Sequence, residues 1–126
     1  MKRLAALVLL ASALAGCTEP TSAGGAIVLD EYTIDVPPGS FSSGTVSLDV
    51  MNAGEFSHTL VVTQSDGSAV AATASIPPGS GADLVVDLAP GEYQVSCRIV
   101  VQLPDGTIVD HYEEGMVGSI TVDNAG

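Results

Sequence analysis

The sequence lacks tryptophan and has only two phenylalanines and three tyrosines, so the core of any domain must consist mainly of aliphatic side chains. Basic residues are also scarce: three lysines and arginines stand against 15 acidic residues, and the formal net charge is −12. This charge makes nucleic acid a poor partner and should attract cationic partners instead. The 126 residues are too few for two ordinary domains.

The N-terminal segment has no apolar run long enough to span a bilayer, which takes roughly 20 residues. Two basic residues precede a short apolar run over 4–14, and this is the pattern of a signal peptide. The residues ending at Cys17 resemble the lipobox of bacterial lipoproteins, in which the cysteine carries diacylglycerol; an ordinary signal peptide with a stray cysteine is the alternative. The expected segments are a signal peptide over 1–16, a lipidated Cys17 with a flexible tether over 17–25, and one domain over 26–126.

The chain has only two cysteines. If Cys17 carries a lipid, Cys97 has no disulfide partner in its own chain. A lone thiol in an oxidising envelope compartment calls for an explanation. Cys97 is therefore either a buried structural cysteine or a metal ligand.

Beyond residue 25 no stretch has a convincing helical period, and turn signals recur, among them Pro-Pro-Gly-Ser segments at 37–40 and 77–80. Alternating apolar and polar residues predict strands instead. The predicted strands cover 26–36, which forms one or two of them, and 45–52, 58–64, 82–88, 92–101, 107–112 and 117–122. Seven or eight short strands in about 100 residues predict an all-β fold, a Greek-key β-sandwich.

The stretch from Cys97 to His111 contains two alternating runs on either side of a Pro-Asp-Gly triplet at 104–106. This triplet lies at the midpoint of the stretch and suits a type I turn with a glycine bulge. We therefore predict an inserted β-hairpin that returns His111 to within a residue or two of the position opposite Cys97. Opposed residues have Cβ atoms about 5 Å apart, close enough to share one small ion. A slip of one residue in register would turn His111 to the other face.

Two further side chains can join this pair. Met116 follows His111 after four residues that include a glycine, and His58 begins an earlier predicted strand. Two nitrogens and a thiolate in a plane, with a weak axial methionine, describe a blue-copper site. Taken singly, each residue is more often structural: a histidine at the rim of the sandwich, a buried thiol, or a methionine that fills the core.

Three segments, in order along the chain, resemble the cupredoxins, the small copper proteins of the plastocyanin and azurin group. NAGEFSH at 52–58 resembles the segment that holds the first histidine ligand. PGEYQVSC at 90–97 resembles the approach to the thiolate, and HYEEGMVGSITV at 111–122 resembles the closing ligand loop and last strand. The resemblance covers 26–122, with each motif weak alone and the ordered set strong.

This resemblance implies one type 1 (blue) copper ion that cycles between Cu(I) and Cu(II). The implied ligands are His58, Cys97 and His111, with Met116 as a weak axial contact. The implied function is outer-sphere electron transfer in the bacterial cell envelope. We expect no enzymatic activity, because no open coordination position or general base is evident.

The expected setting is a monomer, anchored to a membrane through its lipid and facing the periplasm or the cell exterior. Tyr112, Glu113 and Glu114 flank the site, which predicts an acidic rim and a basic redox partner such as a c-type cytochrome or an oxidase. The hairpin tip at 103–106 is expected to help select that partner.

Two features depart from the cupredoxin pattern. The spacing from cysteine to histidine is longer than usual, and Thr59 stands where many members have an asparagine that supports the cysteine sulfur, so we expect different hydrogen bonding there. Two other functions stay open. One is an envelope copper chaperone that delivers Cu(I) to an oxidase from a more exposed site, and the other is a metal-free β-sandwich binding module.

Overall fold

The computed structural model describes residues 25–124, and these residues form eleven β-strands and no helix. The predicted signal peptide, Cys17 and most of the predicted tether lie outside the described residues. Within 25–124 there is no helix of the length and apolar character needed to cross a membrane. The strands are β1 (Ile27–Asp30), β2 (Thr33–Asp35), β3 (Phe41–Ser42), β4 (Gly44–Asn52), β5 (Val61–Thr63), β6 (Ala69–Ala72), β7 (Gly81–Leu88), β8 (Gly91–Ser96), β9 (Val100–Gln102), β10 (Ile108–Asp110) and β11 (Val117–Asp123).

Nine of these strands form two sheets. The first sheet has the order β2-β1-β4-β7, and the second has the order β3-β11-β8-β5-β6. Most neighbouring strands are antiparallel, but β1 pairs with β4 and β3 pairs with β11 in parallel. Both sheets combine strands from distant parts of the chain, as expected of a sandwich whose connections cross between sheets. The prediction of an all-β sandwich is confirmed.

The alternation in β4 explains why the sheets pack face to face. Val46, Leu48 and Val50 are fully buried, while Asp49 between them is exposed. Successive strand residues point to opposite faces, so one face of β4 supplies apolar surface and the other meets water. The second sheet contributes mainly aliphatic residues to the same core, among them Val62, Val95, Ile120 and Val122.

The long strand predicted over 92–101 is interrupted in the structure. The first part, β8, ends at Ser96, residues 97–99 lie outside any strand, and β9 begins at Val100. The interruption arises because β9 pairs only with β10, in a separate two-stranded sheet, and so cannot continue the second sheet. Alternation persists across such a break, which is why the sequence pattern did not reveal it.

The remaining differences concern short elements. The strand predicted over 58–64 begins only at Val61, because His58 forms an isolated bridge with Ile76. Two strands were not predicted at all: β3 has two residues, and β6 is an alanine-rich run without clear alternation.

The inserted hairpin is confirmed. β9 and β10 are antiparallel with Val101 opposite Val109, and the amide of Leu103 donates to the carbonyl oxygen of Thr107 (2.8 Å) across the turn. Gly106 has a φ of 89°, which an L side chain rarely adopts, so the turn requires glycine there. Continuing the register places His111 opposite Ile99, two residues from Cys97, as the midpoint of the stretch indicated.

We expect Leu48→Ala to lower the free energy of unfolding by about 2–5 kcal/mol, because it opens a cavity at a fully buried position. The matched control is Val85→Ala on the neighbouring strand β7, where the side chain is 55% exposed and the expected change is within about 0.5 kcal/mol. Urea denaturation of both variants measures the difference. Equal losses would contradict the assignment of this β4 face to the core.

Candidate metal centre

Asn52, the last residue of β4, organises the loop that leads to His58. Its side-chain amide donates to the carbonyl oxygens of Phe56 and Ile76, both at 2.8 Å, and its carbonyl oxygen accepts from the amide of Gly54 at 2.9 Å. The side chain is fully buried, so these bonds replace water completely. The backbone of His58 exchanges two hydrogen bonds with Ile76, at 3.1 and 2.8 Å. The imidazole therefore projects from a loop that is fixed at both ends.

The other site residues are tied together through their backbones. The amide of Cys97 donates to the carbonyl oxygen of Met116 (3.1 Å), and the amide of Met116 donates to that of His111 (3.0 Å). The amide of His111 donates to the carbonyl oxygen of Ile99 (3.0 Å) at the base of the hairpin. Gly115 has a φ of 124°, which lets the chain turn back so that Met116 rejoins this network.

Three side-chain donor atoms meet inside the protein. Nδ1 of His58 lies 3.2 Å from Nδ1 of His111, and Sγ of Cys97 lies 4.0 Å and 3.6 Å from these two nitrogens. All three residues are buried, His111 being 2% exposed and the other two fully covered. Within residues 25–124, Cys97 is a free thiol. Met116 is also fully buried, and its backbone bonds to Cys97 and His111, so its main chain lies next to the cluster.

The dimensions of this triangle fit a metal ion. A point equidistant from the three donor atoms lies about 2.1 Å from each of them, given sides of 3.2, 3.6 and 4.0 Å. Metal–nitrogen bonds to histidine are about 2.0–2.1 Å and metal–thiolate bonds about 2.3 Å for an ion such as zinc. A single ion in the plane of the three donors would thus make bonds of ordinary length. The site residues predicted from the sequence include all three donors.

Thr59 supports the cysteine sulfur. Its backbone amide donates to Sγ of Cys97 at 3.5 Å, and its hydroxyl lies 3.8 Å from the same sulfur. The resemblance led us to expect different hydrogen bonding at this position, and Thr59 provides the contacts to the sulfur there. Such contacts withdraw charge from a thiolate and orient it.

Glu31 is a site residue that the sequence did not reveal. It lies in the turn between β1 and β2, and its Oε1 is 3.0 Å from Nε2 of His58, on the far side of the ring from the donor cluster. The same carboxylate accepts hydrogen bonds from the amides of Glu55 (2.9 Å) and Phe56 (2.8 Å). No local pattern around Glu31 indicates this role, because the contact joins segments 27 residues apart.

The pKa values of two residues follow from these contacts. Burial alone would raise the pKa of Glu31, but the amides of Phe56 and Glu55 and the bond to His58 outweigh it and lower the pKa to about 2. Glu31 is therefore a carboxylate at neutral pH. Burial and the electrostatic effect of His58 lower the pKa of His111, and they outweigh the opposite effect of Glu31 and Asp110. His111 is thus held as the neutral imidazole that binds metals.

An apolar cleft of about 410 Å³ opens beside His111. The hairpin supplies one wall, and Tyr32 and Phe56 lie in another, with the ring of Tyr32 in edge contact with that of His111 at a centroid distance of 5.3 Å. Phe56 and Leu103 are 56% and 41% exposed, so part of the cleft surface meets water. The cleft-lining residues are Tyr32, Phe56, Ser57, Ser75, Ile99, Val101, Leu103, Val109 and His111.

The described fold is similar to that of solved copper-protein structures. Auracyanin from the photosynthetic bacterium Roseiflexus castenholzii is 20% identical over 82% of this chain and 94% of its own, with a TM-score of 0.56. A reduced Cu(I) form of an amicyanin variant is 19% identical over 80% of this chain and 85% of its own, with a TM-score of 0.50. A multicopper oxidase is 19% identical over 83% of this chain but only 43% of its own, with a TM-score of 0.52. No family model and no curated protein match the sequence.

These similarities establish the cupredoxin fold that the three sequence motifs indicated. Because the identities are 20% or lower, these similarities show the fold alone. The evidence for a metal site comes from the donor atoms of this chain. The triangle of His58, Cys97 and His111 is defined by the distances between their own donor atoms and does not depend on the fold comparison.

We expect Asn52→Ala to lower the free energy of unfolding by about 2–4 kcal/mol, because it leaves the carbonyl oxygens of Phe56 and Ile76 without their donor. The matched control is Gln64→Ala, which truncates an exposed amide side chain. Chemical denaturation of the metal-free protein measures both changes. A loss no larger than that of the control would show that Asn52 does not hold the loop of His58.

Proposed function

We propose that this protein is a type 1 (blue) copper protein that carries electrons by outer-sphere transfer. The observation that carries the proposal is the convergence of two imidazole Nδ1 atoms and one thiol sulfur in a buried triangle. Two nitrogens and a thiolate in one plane, with a weak axial methionine, are the donor set of blue-copper sites. His58, Cys97 and His111 would hold the copper, and Met116, which is buried and bonded through its backbone to Cys97 and His111, would provide the weak methionine contact.

The residues of this chain favour fast electron exchange. A copper ion in such a set supplies a one-electron couple between Cu(I) and Cu(II). Backbone hydrogen bonds fix each donor segment: His58 to Ile76, Cys97 to Met116, and His111 to Ile99. These bonds and the burial of all three donors would restrict rearrangement between the two oxidation states and would limit the access of water to the ion.

The same burial favours electron transfer over delivery of Cu(I). A chaperone needs an exchangeable ion, yet His58 and Cys97 are fully buried and His111 is 2% exposed. A carrier needs no such access, since an electron can leave through the His111 edge of the site.

We propose the cell envelope as its location, held to a membrane by a lipid on Cys17. Support comes from the signal-peptide pattern and the lipobox-like residues before Cys17. The free thiol of Cys97 agrees with this setting, because a metal ligand in an oxidising compartment is protected from disulfide formation.

We propose that this protein is a monomer and that a basic redox protein, such as a c-type cytochrome or an oxidase, docks over its apolar cleft. His111 forms part of the cleft lining, so a side chain seated there approaches the metal centre closely. Acidic residues neighbour the cleft lining in the chain: Glu55 precedes Phe56, and Asp110 follows Val109. Arg98 is the one arginine in 25–124. Its guanidinium stacks on the ring of Tyr112 at 3.8 Å, so it does not neutralise the acidic residues elsewhere on the surface.

The full-length chain loaded with Cu(II) is expected to bind one ion and turn intensely blue, because the thiolate of Cys97 transfers charge to copper. Cys97→Ser should abolish the colour, whereas Met116→Leu should keep it and change the reduction potential. The matched control is Met51→Leu, a 41% exposed methionine outside the site, which should change neither. Visible absorption and redox titration give these readouts.

Other outcomes of this experiment would replace the proposal. A colourless protein that holds Cu(I) and exchanges it readily would favour delivery of copper. Copper bound well below one ion per chain after careful loading would favour a metal-free binding module.

Leu103→Ser in the hairpin should slow electron transfer to a basic c-type cytochrome by roughly fivefold, the loss expected for one apolar contact worth about 1 kcal/mol. The matched control is Val85→Ser, which removes a similarly exposed apolar side chain outside the cleft. Rates for the unaltered protein should fall as salt rises. Stopped-flow kinetics at several ionic strengths measures both effects, and equal rates for the two variants would exclude the cleft as the docking surface.

A further inference from the structure

We propose that Glu31 is a positioning residue that orients His58 toward the metal and, through its negative charge, favours the oxidised ion. This inference rests on the proposed copper function and names a residue outside the ligand set that controls it. Glu31 lies in the turn between β1 and β2, and in the sequence it is outside all three ligand motifs.

The two neighbours of the His58 ring determine its tautomer. Its Nε2 lies 3.0 Å from Oε1 of Glu31, while its Nδ1 faces Nδ1 of His111 at 3.2 Å and Sγ of Cys97 at 4.0 Å. A carboxylate only accepts hydrogen bonds, so the hydrogen of the neutral ring resides on Nε2. The lone pair of Nδ1 is thereby directed into the donor cluster. A carboxylate behind a ligating histidine fixes ring orientation in this way and raises the basicity of the ligand.

The carboxylate of Glu31 is held by several hydrogen bonds. Glu31 accepts from the amides of Glu55 and Phe56 as well as from His58, so three donors from one loop converge on it. Its side chain is 19% exposed. Gly54 provides the space: a Cβ at Gly54 would lie 2.5 and 2.6 Å from the two carboxylate oxygens. The ligand loop is thus shaped around this one carboxylate.

The negative charge of Glu31 lies close to the donor cluster. Oxidation adds one positive charge to the metal centre, and a fixed carboxylate one imidazole away interacts favourably with it. The effect is weakly screened because His58 is fully buried and Glu31 is mostly covered. The neighbouring Glu55 is exposed and bonds to Glu31 only through its backbone amide, so its own charge lies in water. Glu31 should therefore set the redox preference of the site more strongly than Glu55 does.

The test uses the full-length copper-loaded chain and its copper-free form. Glu31→Gln removes the charge but keeps an oxygen acceptor for His58, and we expect the ratio of Cu(II) to Cu(I) affinity to fall roughly tenfold, which is a rise in reduction potential of about 59 mV for a one-electron couple. The blue colour should persist. Glu55→Gln is the matched control, since it removes one negative charge from the same loop, and its shift should be several times smaller.

A second readout does not depend on copper. Nitrogen NMR of the copper-free protein should show the hydrogen of His58 on Nε2 in the unaltered chain and in Glu31→Gln, and a mixture of tautomers in Glu31→Ala. Gly54→Ala offers an independent route, because its methyl group displaces the carboxylate without removing it. We expect this variant to mix the tautomers and to raise the potential in the same direction as Glu31→Gln.

The results separate this inference from the proposed function. A blue protein whose potential is the same in Glu31→Gln and Glu55→Gln, with an unchanged His58 tautomer in Glu31→Ala, would overturn the role of Glu31 and leave the copper site intact. If no chain binds copper, the proposed function fails and redox control by Glu31 fails with it, while the tautomer measurement still decides whether Glu31 positions His58.

Discussion

The main constraint on this protein is that two imidazole nitrogens and a sulfur lie within 4.0 Å of one another in a buried site. Burial removes the water that would otherwise bond to these atoms, so they depend on hydrogen bonds to one another or on a cation that all three share. The rest of the structure maintains this arrangement. Backbone bonds anchor each donor segment in a different way, through an isolated bridge, a hairpin base and a glycine-containing loop, so that no single segment can relax away from the others.

The sequence predicted most of the fold and all three cluster donors because the signals involved are local. Alternation identified β4, β7 and β11, and the midpoint of the stretch from Cys97 to His111 located the hairpin turn. The break after β8 was not predictable, because alternation does not report which strand is the hydrogen-bonding neighbour. The role of Glu31 could not be predicted for a related reason. Its contact with His58 depends on how the β1–β2 turn packs against a loop that is distant in the sequence.

The core of the sandwich and the donor cluster both depend on strands β4 and β8, but on different residues of them. In β4, alternation serves the core up to Val50, and the strand then ends in Asn52, whose buried amide serves the ligand loop. In β8, the buried face leads directly to Cys97. Stability and metal binding therefore share segments of backbone, and the rigidity of the core extends to the donor atoms.

The hairpin of β9 and β10 forms its own two-stranded sheet, and its strands are largely exposed. Its base is closed by the bond from the amide of His111 to Ile99, immediately next to the cluster. Residues beyond that closure contribute little to the sandwich core, so the length and composition of this ribbon can change while the ligand geometry stays constant. The hairpin is in this respect separable from the core, and a different ribbon grafted onto the same base would alter the surface beside the donor cluster and leave the donors in place.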